Sequence, residues 1–220
     1  MKYALMKRLC VITDKIYALI LQHFSQFKTE KDVARFVTKQ FRMHNVKPAF
    51  RTIVANNSAE IHHWPTKNKL QRGFVIIDMG ARDKGISCDM SRTFFIGKPT
   101  KKERALYELV RKCQEKCCRK VRAGMWGNDL DAYARKILGG HKKYFLHSLG
   151  HGVGERIHQK PWISAKRPCQ INKGDFITIE PGIYIKGKPP IGIRIEDTLY
   201  VGKKEEILTS STKKLVCVNG

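Results

Sequence analysis

Leu5, Leu9, Ile12, Ile16 and Leu19 recur at helical spacing, so the chain from about Tyr3 to Gln26 is expected to be an amphipathic helix. A second helix is expected from Thr29 to about Met43, because Thr29 supplies an N-cap and Asp32 an acidic third position. Short apolar runs follow at Phe50–Ala55, Gly73–Ile77 and Ile86–Ile96, and these read as strands. Thr100 with Glu103 forms a capping box for a long helix through Leu106, Leu109, Val110 and Val121. Asn128 opens a shorter helix through Leu130, Tyr133, Ile137 and Leu138, and three more strands are expected at Tyr144–Ser148, Asp175–Glu180 and Ile191–Val201. Helices, strands, helices and strands in that order predict an α+β domain of two similar halves rather than alternating βαβ units. No linker, low-complexity tract or clear repeat interrupts it, so residues 1–220 are expected to form one domain.

Composition narrows the class. A chain of 220 residues that is 42 % hydrophobic can bury a sizeable core, which excludes general disorder. The apolar run Ile16–Leu21 is short and flanked by Lys15 and His23, and no segment approaches the roughly 20 apolar residues of a membrane span. The start of the chain has no basic-then-apolar-then-small pattern, and its seven cysteines show no framework spacing; a cytoplasmic protein with free thiols is expected. Cys113, Cys117 and Cys118 form no Cys-x-x-Cys pair, so they read as helix-borne thiols rather than a metal site. The net charge of +24 points to RNA, ribosomes or another anionic surface. Against this stands a plain lysine-rich surface, since the basic residues are spread along the whole chain.

Carboxylates supply the candidate chemistry. The run Phe74–Ile77 reads as a buried strand that ends on Asp78, and after a turn through Asp83, Lys84 and Gly85 the chain returns with Asp89. A hairpin of that length can bring Asp78 and Asp89 within a few ångströms, where they repel unless a cation or proton lies between them. Glu180 ends another apolar strand before Pro181 and Gly182. In the last strand Ile191, Ile193 and Ile195 alternate onto one face, leaving Arg194, Glu196 and Thr198 on the other. Each acid alone could cap a turn or pair with an arginine. Four of them beside imidazoles match what two divalent metals require.

The imidazoles lie in LHSLGHGVGERIHQKPW. His147 and His151 have the spacing of a helical zinc pair, but Gly150, Gly152 and Gly154 oppose a helix and suit a backbone passing close to something. In an extended segment His147 and His151 share a face, with His158 farther along. Metal ligation, acid/base work and plain loop polarity all remain open on spacing alone.

The segments IIDMGARDKGISCDMSRTFFIG, HSLGHGVGERIHQKPW, FITIEPGIYI and GIRIEDTLYV resemble the peptidase superfamily of methionine aminopeptidase, aminopeptidase P, prolidase and creatinase. A weaker likeness extends from Thr29 to about Val201. The resemblance implies the pita-bread α+β fold: two pseudo-symmetric halves with a curved antiparallel sheet covered by helices. It also implies a dinuclear centre in which Asp78 binds one metal, Asp89 and Glu196 bridge both, and His151 and Glu180 bind the other. The metals implied are Mn²⁺ or Co²⁺, with Zn²⁺ or Fe²⁺ as further candidates. His158 matches the substrate-side histidine that stabilises the tetrahedral intermediate, and His62 the histidine lying over the substrate, with Ile61 in place of the family's proline. His147 matches an active-site histidine of the proline-peptide branch, and Arg194 the arginine two residues before the last glutamate.

Within the superfamily, EPGIY and GIRIEDT look like the Xaa-Pro branch. The reaction implied is removal of the N-terminal residue from Xaa-Pro peptides by a hydroxide held between the metals, with Glu180 carrying the proton to the leaving nitrogen. A homodimer is a further expectation. Methionine removal from nascent chains is the nearest alternative, and a non-catalytic RNA-, ribosome- or chaperone-type module is the alternative from another class. Such modules typically lose ligand residues, whereas all five positions are filled here. Two departures stand out: the additional N-terminal domain of most creatinase-type relatives is not expected in these 220 residues, and the family's Ser-Gly pair is missing near Asn56 and Asn57.

Overall fold

The computed structural model describes residues 1–219. Helix α1 (Lys2–Gln22) buries Met6, Leu9, Thr13, Ile16 and Ile20 along one stripe. It ends before the expected Gln26, and Phe24–Gln26 form a short 3₁₀ turn. Helix α2 (Glu30–Met43) starts where the sequence indicates: Asp32 N donates to Thr29 Oγ1 at 3.3 Å, and Thr29 N donates to Asp32 Oδ2 at 2.9 Å. Strands β1 (Lys47–Pro48), β2 (Ile53–Asn56), β3 (Gly73–Met79), β4 (Ala81–Asp83), β5 (Ile86–Ser87) and β6 (Met90–Ile96) complete the first half.

The second half repeats the order. Helix α3 (Lys101–Lys120) has the Thr100–Glu103 capping box, and α4 (Gly127–Leu138) follows. Then come β7 (Gly150–Gly152), β8 (Gln159–Ile163), β9 (Phe176–Ile179), β10 (Gly182–Ile185), β11 (Ile191–Arg194), β12 (Asp197–Val201), β13 (Glu205–Ile207) and β14 (Cys217–Val218). The two larger sheets have the orders β14-β6-β3-β2 and β13-β12-β9-β7-β8, two smaller ones are β1-β4-β5 and β10-β11, and all pairs are antiparallel except β14–β6. Helices α1 and α2 cover the first half, burying Val33, Val37 and Phe41 against Val54, Val75 and Ile77. Helices α3 and α4 cover the second, burying Val110 and Leu130 against Ile177, Ile179 and Leu199. Each such fully buried side chain contributes about 1.5–3 kcal/mol of transfer free energy.

The halves are joined by polar contacts between β6 and the β11–β12 segment. Thr93 Oγ1 donates to the Arg194 carbonyl at 2.7 Å, and the buried Arg92 guanidinium donates to Asp197 at 2.7 Å. Asp197 also accepts from Gln114 on α3 and from Lys213.

Several strands differ from their expected form, and each difference has a local cause. The expected run Ile86–Ile96 breaks at Cys88 and Asp89. Cys88 Sγ accepts from Ala81 N, and the Asp89 backbone is held through both its N–H and its carbonyl by the Thr198 hydroxyl. The run Ile191–Val201 breaks at Glu196, whose N–H donates to the Ser91 carbonyl. Tyr144–Ser148 is not a strand: Arg135 takes the carbonyls of Phe145 and His147, and Asp131 takes the Leu149 N–H, so α4 side chains satisfy backbone that a ladder would otherwise satisfy. Gly150 and Gly152 serve close strand packing: an added Cβ would lie 2.0 Å from the Thr178 carbonyl oxygen or 2.2 Å from that of Lys160.

Among the described residues no helix is long and apolar enough to cross a membrane, and all seven cysteines are free.

Candidate metal centre

Strand ends deliver the acids to one place. Asp78 sits near the end of β3, with Ser91 as its β6 partner, and Asp89 stands immediately before β6. Glu180 follows β9, and Glu196 lies in the break between β11 and β12. His151 is the central residue of β7, placed opposite Trp162 of β8. These five side chains line a cavity of about 370 Å³ together with His62, His147, His158 and Arg194, the other four candidate site residues of the sequence.

At the centre, ligand atoms of Asp89, His151 and Glu196 all lie within 4.8 Å of one another. His151 Nε2 is 3.2 Å from Glu180 Oε1 and 3.9 Å from Asp89 Oδ2, while Nδ1 meets the Gly152 carbonyl at 3.0 Å. With Nδ1–H donated to that carbonyl, Nε2 is the nitrogen free to ligate. Oδ1 of Asp78 and Oδ1 of Asp89 are buried and have no hydrogen-bond partner among the described residues. Buried carboxylate oxygens of that kind are costly unless a cation meets them.

The electrostatics agree. Burial pushes the Asp89 carboxyl well above its ordinary value, and the charges of Glu196, Asp78 and Glu180 push it further. Glu196 is raised in the same way, by burial first and then by Glu180 and Asp78. Asp78 is raised by burial despite the opposing charge of Arg194. For Glu180, burial acts upward, but the His151 hydrogen bond and the charges of His151, His147 and Arg194 outweigh it and hold the carboxyl at about 2. His151 shows the reverse balance: burial acts downward, and Glu180 raises it above the usual imidazole value. Four acids and one imidazole that repel or share protons in this manner form a donor set suited to divalent cations.

Arg194 organises the carboxylate side. It is buried, with Nη2 donating to Asp78 Oδ2 at 2.6 Å, Nε to Ser91 Oγ at 2.9 Å and Nη1 to the Ile61 carbonyl at 3.1 Å. Ser91 Oγ in turn donates a hydrogen bond to Glu196 Oε2 at 2.8 Å, so one guanidinium orients two acids. Nη1 also donates to Tyr184 Oη at 2.8 Å, and Tyr184 contacts His147 Nε2 at 2.9 Å. His147 Nδ1 faces the Ser148 carbonyl at 2.8 Å, which makes Nε2 the acceptor of the tyrosine proton. Burial lowers the His147 pKa to about 4, keeping that ring neutral.

His158 stacks edge-on against His151, with ring centroids 4.4 Å apart, and its pKa is lowered by burial and by the His151 charge. His62 is exposed at the cavity wall, whereas its neighbour His63 is tied to Glu30 at 2.9 Å and to Glu60 at 3.2 Å. Asn57, at the family departure, adopts a left-handed φ of 50° and donates to the Arg72 carbonyl. Sequence reasoning passed over Ser91 and Tyr184. Period-two alternation carries a signal for both, since Ser91 shares a face with Asp89, and Tyr184 with Gly182 and Glu180.

Comparison with known proteins accords with this geometry. The chain is 36 % identical over 220 residues to the Xaa-Pro dipeptidase of Pyrococcus horikoshii, covering 96 % of the chain and 62 % of that protein. It is 37 % identical to the Xaa-Pro dipeptidase of Pyrococcus furiosus, with the same shares covered. The crystal structure of the prolidase from Pyrococcus horikoshii superposes with a TM-score of 0.93 at 35 % identity, over 98 % of this chain and 63 % of that one. The chain thus spans somewhat under two thirds of the length of these relatives, and the architecture is the pita-bread fold they share. The sequence model described as Metallopeptidase family M24 matches residues 4–203, and the chain belongs to that family.

Proposed function

We propose that residues 1–220 form a metallopeptidase catalytic domain that removes the N-terminal residue from peptides with proline in second place. The observation carrying this reading is the pair of orphaned, buried Oδ1 atoms of Asp78 and Asp89 in a cavity that also holds Glu180, Glu196 and His151. The names of the relatives, Xaa-Pro dipeptidases, support the proline preference.

Asp78 would hold one divalent cation, His151 and Glu180 a second, and Asp89 and Glu196 would be shared between them. Mn²⁺ and Co²⁺ suit such an oxygen-rich set with one imidazole. When bound, the pair supplies a nucleophile from water at neutral pH and a Lewis acid for the scissile carbonyl. The chain does the remaining work. Glu180 takes the proton of the attacking water on a carboxylate oxygen and delivers it to the leaving nitrogen, a role worth about 10²–10⁴-fold. His158 and His62 donate N–H groups to the developing oxyanion or leaving group. His158 does so as a neutral ring, in keeping with its lowered pKa. Arg194, through Asp78 and Ser91, fixes the acids in place before substrate arrives. The seven free cysteines suit a reducing cytoplasm.

The test is cleavage of Ala-Pro, Leu-Pro and Met-Ala dipeptides by the chain loaded with Mn²⁺ or Co²⁺. Hydrolysis confined to the Xaa-Pro peptides is expected. Inactivity on all three would overturn the peptidase reading, and preference for Met-Ala would overturn the proline assignment.

A further inference from the structure

The metal-centre cavity has an apolar annex. A smaller cavity of about 160 Å³ shares His62, Asp78, Asp89 and His158 with it. Its remaining walls are Phe50, Arg51, Ile53, Trp64 and Ile157. Apart from Arg51, the only polar group on these wall side chains is the indole N–H, so the annex offers little to a polar ligand. A cavity of about 150 Å³ lined by aliphatic and aromatic side chains is large enough to take a benzene ring. The annex therefore matches a single isobutyl, thioether or phenyl side chain.

Trp64 is the wall that packing of the fold does not explain. It is 51 % exposed, although an indole is ordinarily well buried. Its neighbours hold it at the rim: His63 Nε2 meets the buried Glu30 Oε2 at 2.9 Å, and Thr66 N donates to the same oxygen at 2.9 Å. Arg51 lies over the ring, 4.7 Å from its centroid. An anchored backbone and a stacked cation thus fix the indole before any ligand arrives. The main cavity is also polarised. Lys166 and Arg167 line it but not the annex, whereas Asp78 and Asp89 line both. The terminal carboxylate of a peptide is drawn to the two cations, which leaves its first residue on the aspartate side, where the annex opens.

We propose that the annex receives the side chain of the substrate's N-terminal residue, with Trp64 as its outer wall, so that the chain selects peptides beginning with Leu, Met or Phe over those beginning with Ala or Gly. Arg51 adds a second criterion, because its charge at the rim disfavours an N-terminal Lys, which is about as long as Met but cationic. Trp64 stands three residues after Ile61, in the segment where this chain departs from the family, so the preference belongs to this chain rather than to the fold. The assignment rests on the peptidase reading and adds to it the identity of the first residue.

The experiment measures kcat/KM of the Mn²⁺-loaded chain for Gly-Pro, Ala-Pro, Leu-Pro, Met-Pro, Phe-Pro and Lys-Pro. In parallel, leucinamide and alaninamide are titrated calorimetrically, which reads the annex without turnover. Wild type is expected to favour Leu-Pro over Ala-Pro, and leucinamide over alaninamide, by about 10–200-fold, the range set by small differences in apolar bulk. W64A should lower both ratios about fourfold or more, the equivalent of one buried methylene, while W64F keeps an aromatic wall and retains them. R51Q should raise Lys-Pro relative to Met-Pro about fivefold, the effect of one like charge about 4 Å away in water. Circular dichroism confirms that each variant is folded. Equal affinities for the two amides, ratios unchanged in W64A, or Lys-Pro turnover matching Met-Pro in wild type would each overturn the assignment. A chain that prefers leucinamide in this Trp64-dependent way but cleaves none of the dipeptides would overturn the peptidase reading and support the annex.

Discussion

Arg194 and Asp78 form a buried ion pair, Nη2 to Oδ2 at 2.6 Å, with side chains only 3 % and 13 % exposed. The same guanidinium reaches Glu196 through the Ser91 hydroxyl, so one cation sets the position of two acids from different strands. Replacing it with Ala removes the countercharge and both directed hydrogen bonds. R194A is expected to lose about 10–100-fold in divalent-metal affinity, the usual cost of losing a group that orients ligands, when measured by titration calorimetry. R194K should recover little of this, because a point ammonium cannot reproduce the planar fork. Wild-type affinity in R194A would refute the positioning role.

Tyr184 connects Arg194 to the neutral ring of His147. Y184F keeps the aromatic volume and deletes only the hydroxyl, so the fold and the metal stoichiometry should be unchanged. A hydrogen bond to a charged partner is worth about 1.5–3 kcal/mol, and its loss should lower kcat by roughly 10-fold or more. Parallel measurement of bound metal and of Xaa-Pro turnover separates these effects.

Glu30 and His63 form a second buried polar unit, close to the cavity but outside it. His63 is raised chiefly by its Glu30 hydrogen bond, so its stabilising contribution is full below about 6.5 and is lost as pH rises through the elevated folded value. Glu30 is lowered overall: burial acts upward, but bonds from His63, Asn56 and Thr66 outweigh it, so its contribution is present above about 4.5 and lost as pH falls. Chemical denaturation should show this pair contributing most between pH 4.5 and 6.5, with E30Q abolishing both flanks of the profile. A flat difference between wild type and E30Q across pH 3–9 would contradict it.

Asp89 and Glu196 are raised well above the ordinary carboxylate range by burial and by each other's neighbours. Their folded values exceed their unfolded ones, so the metal-free chain should lose stability as pH rises above about 4. Divalent cations must displace the protons these acids retain. Calorimetric metal titration near pH 6 in two buffers of different ionisation enthalpy should therefore report net proton release. Identical enthalpies in the two buffers would contradict these shifts.

Much of the site is readable along the chain because strand alternation is a strong constraint. Asp78, Glu180 and Glu196 each end or interrupt an apolar run, and the three acids with Asp89 and His151 do line one cavity. What the sequence conceals depends on cross-chain hydrogen bonds. The Thr198 hydroxyl detaches Asp89 from its ladder, and the Arg135 and Asp131 side chains replace the strand expected at Tyr144–Ser148. Strand β8 escapes notice because Pro161 lies within it, and proline ordinarily argues against a strand. The glycines around His151 suggest a backbone passing close to a ligand, whereas Gly150 and Gly152 meet the carbonyls of neighbouring strands. Helix α2 is legible from its capping box, because both of its reciprocal bonds join residues three apart in the chain.

The proposed dinuclear peptidase site is built on Asp78, Asp89, His151, Glu180 and Glu196. The most direct measurement determines metal content and Ala-Pro cleavage on one preparation of wild type and of D89A. Two divalent ions per chain with Ala-Pro hydrolysis in the wild type, and loss of both metal and activity in D89A, is the result predicted. A wild-type chain that binds no divalent metal, or a D89A chain that cleaves Ala-Pro at the wild-type rate, would contradict the account.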